Sequence, residues 1–192
     1  MKTPLLKTSL LAATLLMALP FVSCKKENTT TDTEEVADDQ NDEKFDDTDK
    51  EDDSEFVVKA AEINMDEIAL GKLAQTKGTA ASVKDLGKMM VAEHTKALDE
   101  LKAMAMAKNI SIPESPTEDS KETLTKFQEK ETADFDKDYA DKMVEGHKDA
   151  ISAFEKAATD AADADVRNWA TKMLPGLRLH LQHAEEVRDG LK

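Results

Sequence analysis

Four ionisable side chains interrupt four apolar stripes: Glu67, His94, His147 and His180. At helical spacing the stripes run Ala60-Ile63-Glu67-Leu70-Ala74 and Val83-Gly87-Met90-His94-Ala97-Leu101, then Met143-His147-Ala150-Phe154 and Met173-Leu177-His180-Ala184-Val187. Residues at i, i+3, i+4 and i+7 share one helix face, so each group is aimed at whatever that face buries. Burying such groups is costly unless they are paired, hydrogen-bonded or bound to a metal. Three imidazoles and one carboxylate suit zinc, copper, iron, nickel or manganese, so the cofactor to expect is a divalent transition metal, its identity open. The pattern departs from di-iron carboxylate bundles, which place a Glu-x-x-His pair on each of two helices. Here Val91, Val144 and Leu177 stand three residues before the histidines. Ferroxidase chemistry is therefore disfavoured, and no reaction is demanded. The leading expectation is a domain that binds a transition metal or a small ligand at this cluster; a structural envelope module whose polar residues only fix helix pairing is the competing explanation, and a mononuclear-metal oxidoreductase is a third.

The elements that position these groups are helices. From Ser54 to Lys192 glycine and proline are scarce and period-2 alternation is absent, which predicts helices over 54–77, 80–108, 132–159 and 163–191, with a shorter one at 118–130. Gly78 is expected to take the left-handed position after the first, and Thr79 to cap the second. Pro175-Gly176 falls inside the last helix and is expected to kink it without ending it. Short links make two hairpins. The connection over 109–131 is far longer than the 2–8 residues usual between bundle neighbours, which favours an up-down-down-up, ferritin-like four-helix bundle with a short helix in the crossover. Glu67 and His94 lie 11 and 15 residues from the first turn, His147 and His180 13 and 17 from the second. At 1.5 Å per residue these are about 16, 22, 20 and 26 Å, so all four approach the middle of a bundle roughly 40 Å long.

Two other residues admit a role beside the cluster. Tyr139 sits two turns before His147 and could line a pocket or orient that ring. Asp136, in the first turn of the same helix, is either a pocket residue or a charge that complements the helix dipole. His183 lies at the edge of its stripe and is read as a boundary residue. The methionines fall mostly on or beside stripes and serve as core filler.

The N-terminus speaks to location. Residues 1–23 read as a signal peptide, with Lys2 and Lys7 before an apolar stretch from Leu10 to Leu19. Phe21-Val22-Ser23-Cys24 resembles a bacterial lipobox, which implies cleavage before Cys24 and lipidation of it. Cys24 is the chain's only cysteine, so no internal disulfide forms. Residues 25–53 hold 14 acidic and 4 basic side chains, and 24–53 is expected to be a lipidated cysteine followed by a disordered acidic tether. The expected location is the cell envelope, anchored in a membrane by lipid, with the outer membrane favoured. A net charge of −15 argues against nucleic acid as a partner.

Several segments together carry a family likeness: Glu67-Ile68-Ala69-Leu70-Gly71-Lys72-Leu73-Ala74, Met90-Val91-Ala92-Glu93-His94, Phe135-Asp136-Lys137-Asp138-Tyr139, Met143-Val144-Glu145-Gly146-His147 and Leu174-Pro175-Gly176-Leu177-Arg178-Leu179-His180. Through them the chain resembles the bacterial proteins grouped as domain of unknown function 4142, over essentially all of 54–192. The resemblance implies a secreted or membrane-associated ferritin-like helical domain and no established activity. It has Glu67, His94, His147 and His180 within its pattern and leaves His183 outside.

Overall fold

The computed structural model describes residues 32–45 and 50–191, and among these it is helical. The helices are α1 (Thr33–Phe45), α2 (Glu51–Lys77), α3 (Ala81–Lys108), α4 (Glu118–Glu129), α5 (Thr132–Asp160) and α6 (Ala164–Gly190). The expected leader and Cys24 lie outside the described residues. No described helix is long and apolar enough to cross a membrane.

Polar clasps at the two ends of the bundle fix its topology. At one end Asp136, at the start of α5, accepts from the backbone N–H of Thr79 at 2.9 Å and of Ala80 at 2.7 Å, and from the Thr79 hydroxyl. The α2–α3 turn and the start of α5 therefore share an end. At the other, Asp53 near the start of α2 accepts from Ala162 N–H at 2.8 Å and Asp163 N–H at 2.6 Å, and Lys108 at the end of α3 bonds Asp163 at 2.7 Å. The α5–α6 turn thus lies where α2 begins and α3 ends. The order is up-down-down-up, with α3 and α5 parallel and α4 in the crossover between them. This is the ferritin-like arrangement expected from the long connection.

Local chemistry explains the helix ends, with two departures from the sequence reading. Gly78 is not left-handed; its φ is −56°. A Cβ there would lie 2.6 Å from the Ala74 carbonyl oxygen and 2.9 Å from Val83 Cγ1, so crowding in the turn requires the glycine. Thr79 does not cap α3 through its own side chain. The N-cap position is Ala80, which makes no side-chain cap bond, and the Asp136 carboxylate ties down the turn from another helix. The left-handed residue is Asn109, φ 58°, which ends α3. Asp163 caps α6, accepting from Asp165 N–H at 2.8 Å, and α6 continues through Pro175. Gly71 and Gly87 let α2 and α3 pack backbone to backbone, since a Cβ on either would lie within 2.8 Å of the other's carbonyl oxygen.

The acidic segment corrects the expectation of a disordered tether over part of its length. Residues 33–45 form α1, which buries Ala37, Asn41 and Phe45 at helical spacing. The reason is the crossover. An extended connection leaves backbone groups without partners, and buried ones must be satisfied. Asn41 supplies both kinds: its Nδ2 donates to the Ser111 carbonyl at 2.9 Å and its Oδ1 accepts from Ser111 N–H at 2.7 Å. Thr33 Oγ1 donates to the Ser115 carbonyl at 2.8 Å, and Glu118 N–H to Asp32 Oδ2 at 2.9 Å. Deleting residues 33–45 is therefore expected to lower the melting temperature by roughly 4–8 °C, from about 2 kcal/mol in the Asn41–Ser111 bonds. An unchanged thermal melt would show that α1 contributes nothing to the bundle.

The core is divided. One apolar cluster gathers Val57, Leu98, Leu101, Phe154, Val166 and Trp169 towards the α5–α6 turn. The other gathers Leu70, Val83, Met90, Phe135, Tyr139 and Met143 towards the α2–α3 turn. On each long helix a buried polar position falls between the two: Asn64 and Glu67 on α2, His94 on α3, His147 on α5, His180 on α6. All five are buried.

Candidate metal centre

The polar layer brings the three histidines together. Ring centroids are 5.6 Å apart for His94–His147, 5.2 Å for His94–His180 and 5.4 Å for His147–His180. One nitrogen from each ring lies within 4.8 Å of the others. The stripes produce this meeting because each histidine occupies a core-facing position at matching depth on its own helix.

Hydrogen bonds decide which nitrogens are free. Asn64 Nδ2 donates to the Ala60 carbonyl at 2.6 Å, which leaves its Oδ1 facing His94 Nδ1 at 3.0 Å. An amide oxygen only accepts, so this contact assigns the proton of neutral His94 to Nδ1. His147 Nδ1 lies 2.8 Å from the Met143 carbonyl oxygen and carries its proton for the same reason. His94 Nε2 and His147 Nε2 are then lone-pair acceptors, and both are buried without a hydrogen-bond partner; so is His180 Nδ1. Three buried ring nitrogens without partners, two of them fixed as acceptors, are a costly arrangement for a structural core. His94 and His147 have the arrangement that metal-ligating histidines adopt, with the far nitrogen held by a carbonyl or amide and the near one aimed at the ion.

Electrostatics keep these rings in the ligating form. Burial first, then the neighbouring His147 and His180, holds His94 well below the ordinary histidine range. Burial lowers His147, opposed by its bond to Met143. Burial, His147 and His183 lower His180 to about 4. At neutral pH all three are uncharged and need lose no proton to bind a cation.

Glu67 sits beside this group and not among the mutually close nitrogens. Its Oε1 is 3.7 Å from His147 Nδ1, the nitrogen turned towards Met143. Gly146 packs beside it, where a Cβ would make only an ordinary contact, 3.4 Å from the same oxygen. Burial, with the Asp66 charge adding to it against Lys142, raises Glu67 to about 8, so it is protonated at neutral pH. Tyr139 is buried one layer away, stacked on Phe135 with centroids 6.0 Å apart, and its hydroxyl has no partner. Asp136 is at the end of the bundle, in the clasp described above, and lines no part of the centre. His183 stays outside too, its Nδ1 3.2 Å from Met89 Sδ.

Two residues of the site escaped the sequence reading. Asn64, three residues before Glu67 on the same face, was legible as a polar residue on an apolar stripe. Trp169 was not: it helps line a cavity of about 200 Å³ that reaches His94 and His180 from between α3 and α6. That cavity supplies a path from solvent to a buried centre.

Residues 34–187 match the profile of a family described as a domain of unknown function (DUF4142). The match begins 20 residues before Ser54 and so takes in nearly all of α1. No curated protein and no solved structure matches the chain.

Proposed function

The chain belongs to the domain of unknown function (DUF4142) family, whose description assigns no activity, and from the centre of its bundle we propose that it binds one divalent transition metal ion. His94 and His147 would ligate through Nε2 and His180 through Nδ1. Asn64 and the Met143 carbonyl fix the first two rings, and Glu67 backs His147 as an outer carboxyl group. The observation that carries this reading is the set of three buried, unpartnered nitrogens on three separate helices. A polar layer that only fixed helix pairing would be expected to satisfy its own atoms. Three imidazoles without a thiolate fit zinc, copper, nickel or iron better than calcium or magnesium. The ion would supply Lewis acidity; the chain's contribution is a buried set of neutral donors, two of them held in place by hydrogen bonds.

The same proposal places the domain in the cell envelope as a lipoprotein, anchored through Cys24. The apolar stretch from Leu10 to Leu19, followed closely by the only cysteine, supports this; the acidic balance separately disfavours nucleic acid as a partner. Equilibrium dialysis against zinc at neutral pH tests the metal reading. One equivalent per chain is expected for the wild type and none above background for a variant with His94, His147 and His180 all replaced by alanine. Equal uptake by the two would remove the centre from consideration.

A further inference from the structure

The cavity between α3 and α6 has more room than a metal and its water need. It measures about 200 Å³, against roughly 10–15 Å³ of such space for one water. Its inner wall is formed by His94 and His180, and its sides by Phe154, Trp169, Leu177 and Ala97. Trp169 is 7% exposed, and its indole Nε1 is buried without an acceptor. At the mouth the charges largely compensate: Lys172 Nζ is 2.7 Å from Glu100 Oε2, and Lys96 and Glu93 offset each other.

Resting on the metal reading, we infer that this cavity holds a small organic monocarboxylate with a compact apolar body, whose oxygen completes the coordination of the metal. Three features converge on that class. Three neutral imidazoles leave a divalent ion with its full charge in a buried setting, which calls for an anion. Three protein ligands also leave a tetrahedral ion one position for an outside atom, and the cavity is the side from which that atom can approach. The apolar walls, Phe154 and Trp169 among them, accommodate a ring or a branched chain. The mouth has no strong net charge to select an anion, so the selection comes from the metal.

Trp169 is the only tryptophan of the chain, so its emission comes from the wall of this cavity. The test titrates the full chain first with cobalt(II), followed by visible absorption, and then with benzoate, followed by absorption and Trp169 emission together. Both signals are expected to change with one midpoint. Acetate, with the same headgroup and no ring, should require at least about tenfold more, and benzyl alcohol should leave the cobalt bands unmoved. Ala97→Phe should take up cobalt normally and lose the benzoate response. Leu177→Ala should keep cobalt and weaken benzoate by roughly fivefold through lost apolar contact, read from the cobalt bands. Should Ala97→Phe fail to fold, Leu177→Ala decides. Cobalt uptake without a benzoate response, or equal affinity for acetate and benzoate, would overturn the cavity assignment and leave the metal centre standing. Absence of cobalt uptake in the first titration would overturn both.

Discussion

Zinc at a free concentration one hundred times its dissociation constant is expected to raise the melting temperature of the wild-type chain by roughly 5–11 °C. Mass action gives about 2.7 kcal/mol at that excess, and 1 kcal/mol moves the midpoint of a domain of this size by about 2–4 °C. Alanine at His94, His147 or His180 should each remove most of the shift at the same zinc concentration, and His183→Ala should leave it intact. Asn64→Ala tests the orientation of His94 separately. It keeps every ligand but frees the ring, and should weaken binding by about 10–100-fold. The pH dependence carries a sign. A lowered folded-state pKa means that protons compete for these nitrogens only below the ordinary histidine range. The zinc shift should therefore persist unchanged from pH 7 to 6 and be lost as pH falls towards about 4, where His180 titrates. A shift that survives all three alanine substitutions would place the stabilising metal on the acidic surface instead.

Asp136→Ala is expected to cost about 3 kcal/mol or more in urea denaturation, the largest effect of a single substitution away from the centre. The carboxylate accepts from two backbone N–H groups and one hydroxyl of the α2–α3 turn, and bonds to a charged acceptor contribute about 1.5–3 kcal/mol each, though not additively. Burial pushes this carboxyl up, but the bonds from Thr79 and Ala80 and the Lys84 charge outweigh it and hold it below the ordinary aspartate range. Its contribution is present above pH 4 and is lost as pH falls through the lowered folded-state value. Asp136→Asn, which keeps the shape and loses the charge, should fall between the two. Folded Asp136→Ala protein should bind zinc with unchanged affinity, because the clasp is at the bundle's end. A loss below about 1 kcal/mol would show that the turn closes without it.

The parts of this molecule legible from its residues are those written in periodicity. A histidine in a leucine position announces itself, so His94, His147 and His180 could be named, and helix lengths were enough to put them at one depth. The 109–131 connection carried the topology for the same reason: a chain that long between hairpins has a bundle to cross. What escaped depends on partners far along the chain. Composition made residues 33–45 look like a tether, because 14 acidic side chains over 25–53 conceal the Ala37-Asn41-Phe45 face that docks on the crossover. Gly78 looked like a left-handed stop, whereas its role is to leave room for Val83 and the Ala74 carbonyl. Glu67 interrupts its stripe as the histidines do, yet its carboxyl settles behind His147, at the Nδ1 that faces the Met143 carbonyl. The cavity at Trp169 is a matter of which side chains fail to fill a space, and no spacing encodes that.

X-ray absorption of the zinc-loaded chain decides whether His94, His147 and His180 hold one metal. Three imidazole nitrogens at about 2.0–2.1 Å are expected around the zinc, with their outer-ring scattering visible and one further light atom. The imidazole signature should be lost in the triple-alanine variant. A zinc surrounded mainly by carboxylate oxygens, with at most one imidazole, would contradict the three-histidine centre and return the polar layer to a purely structural role.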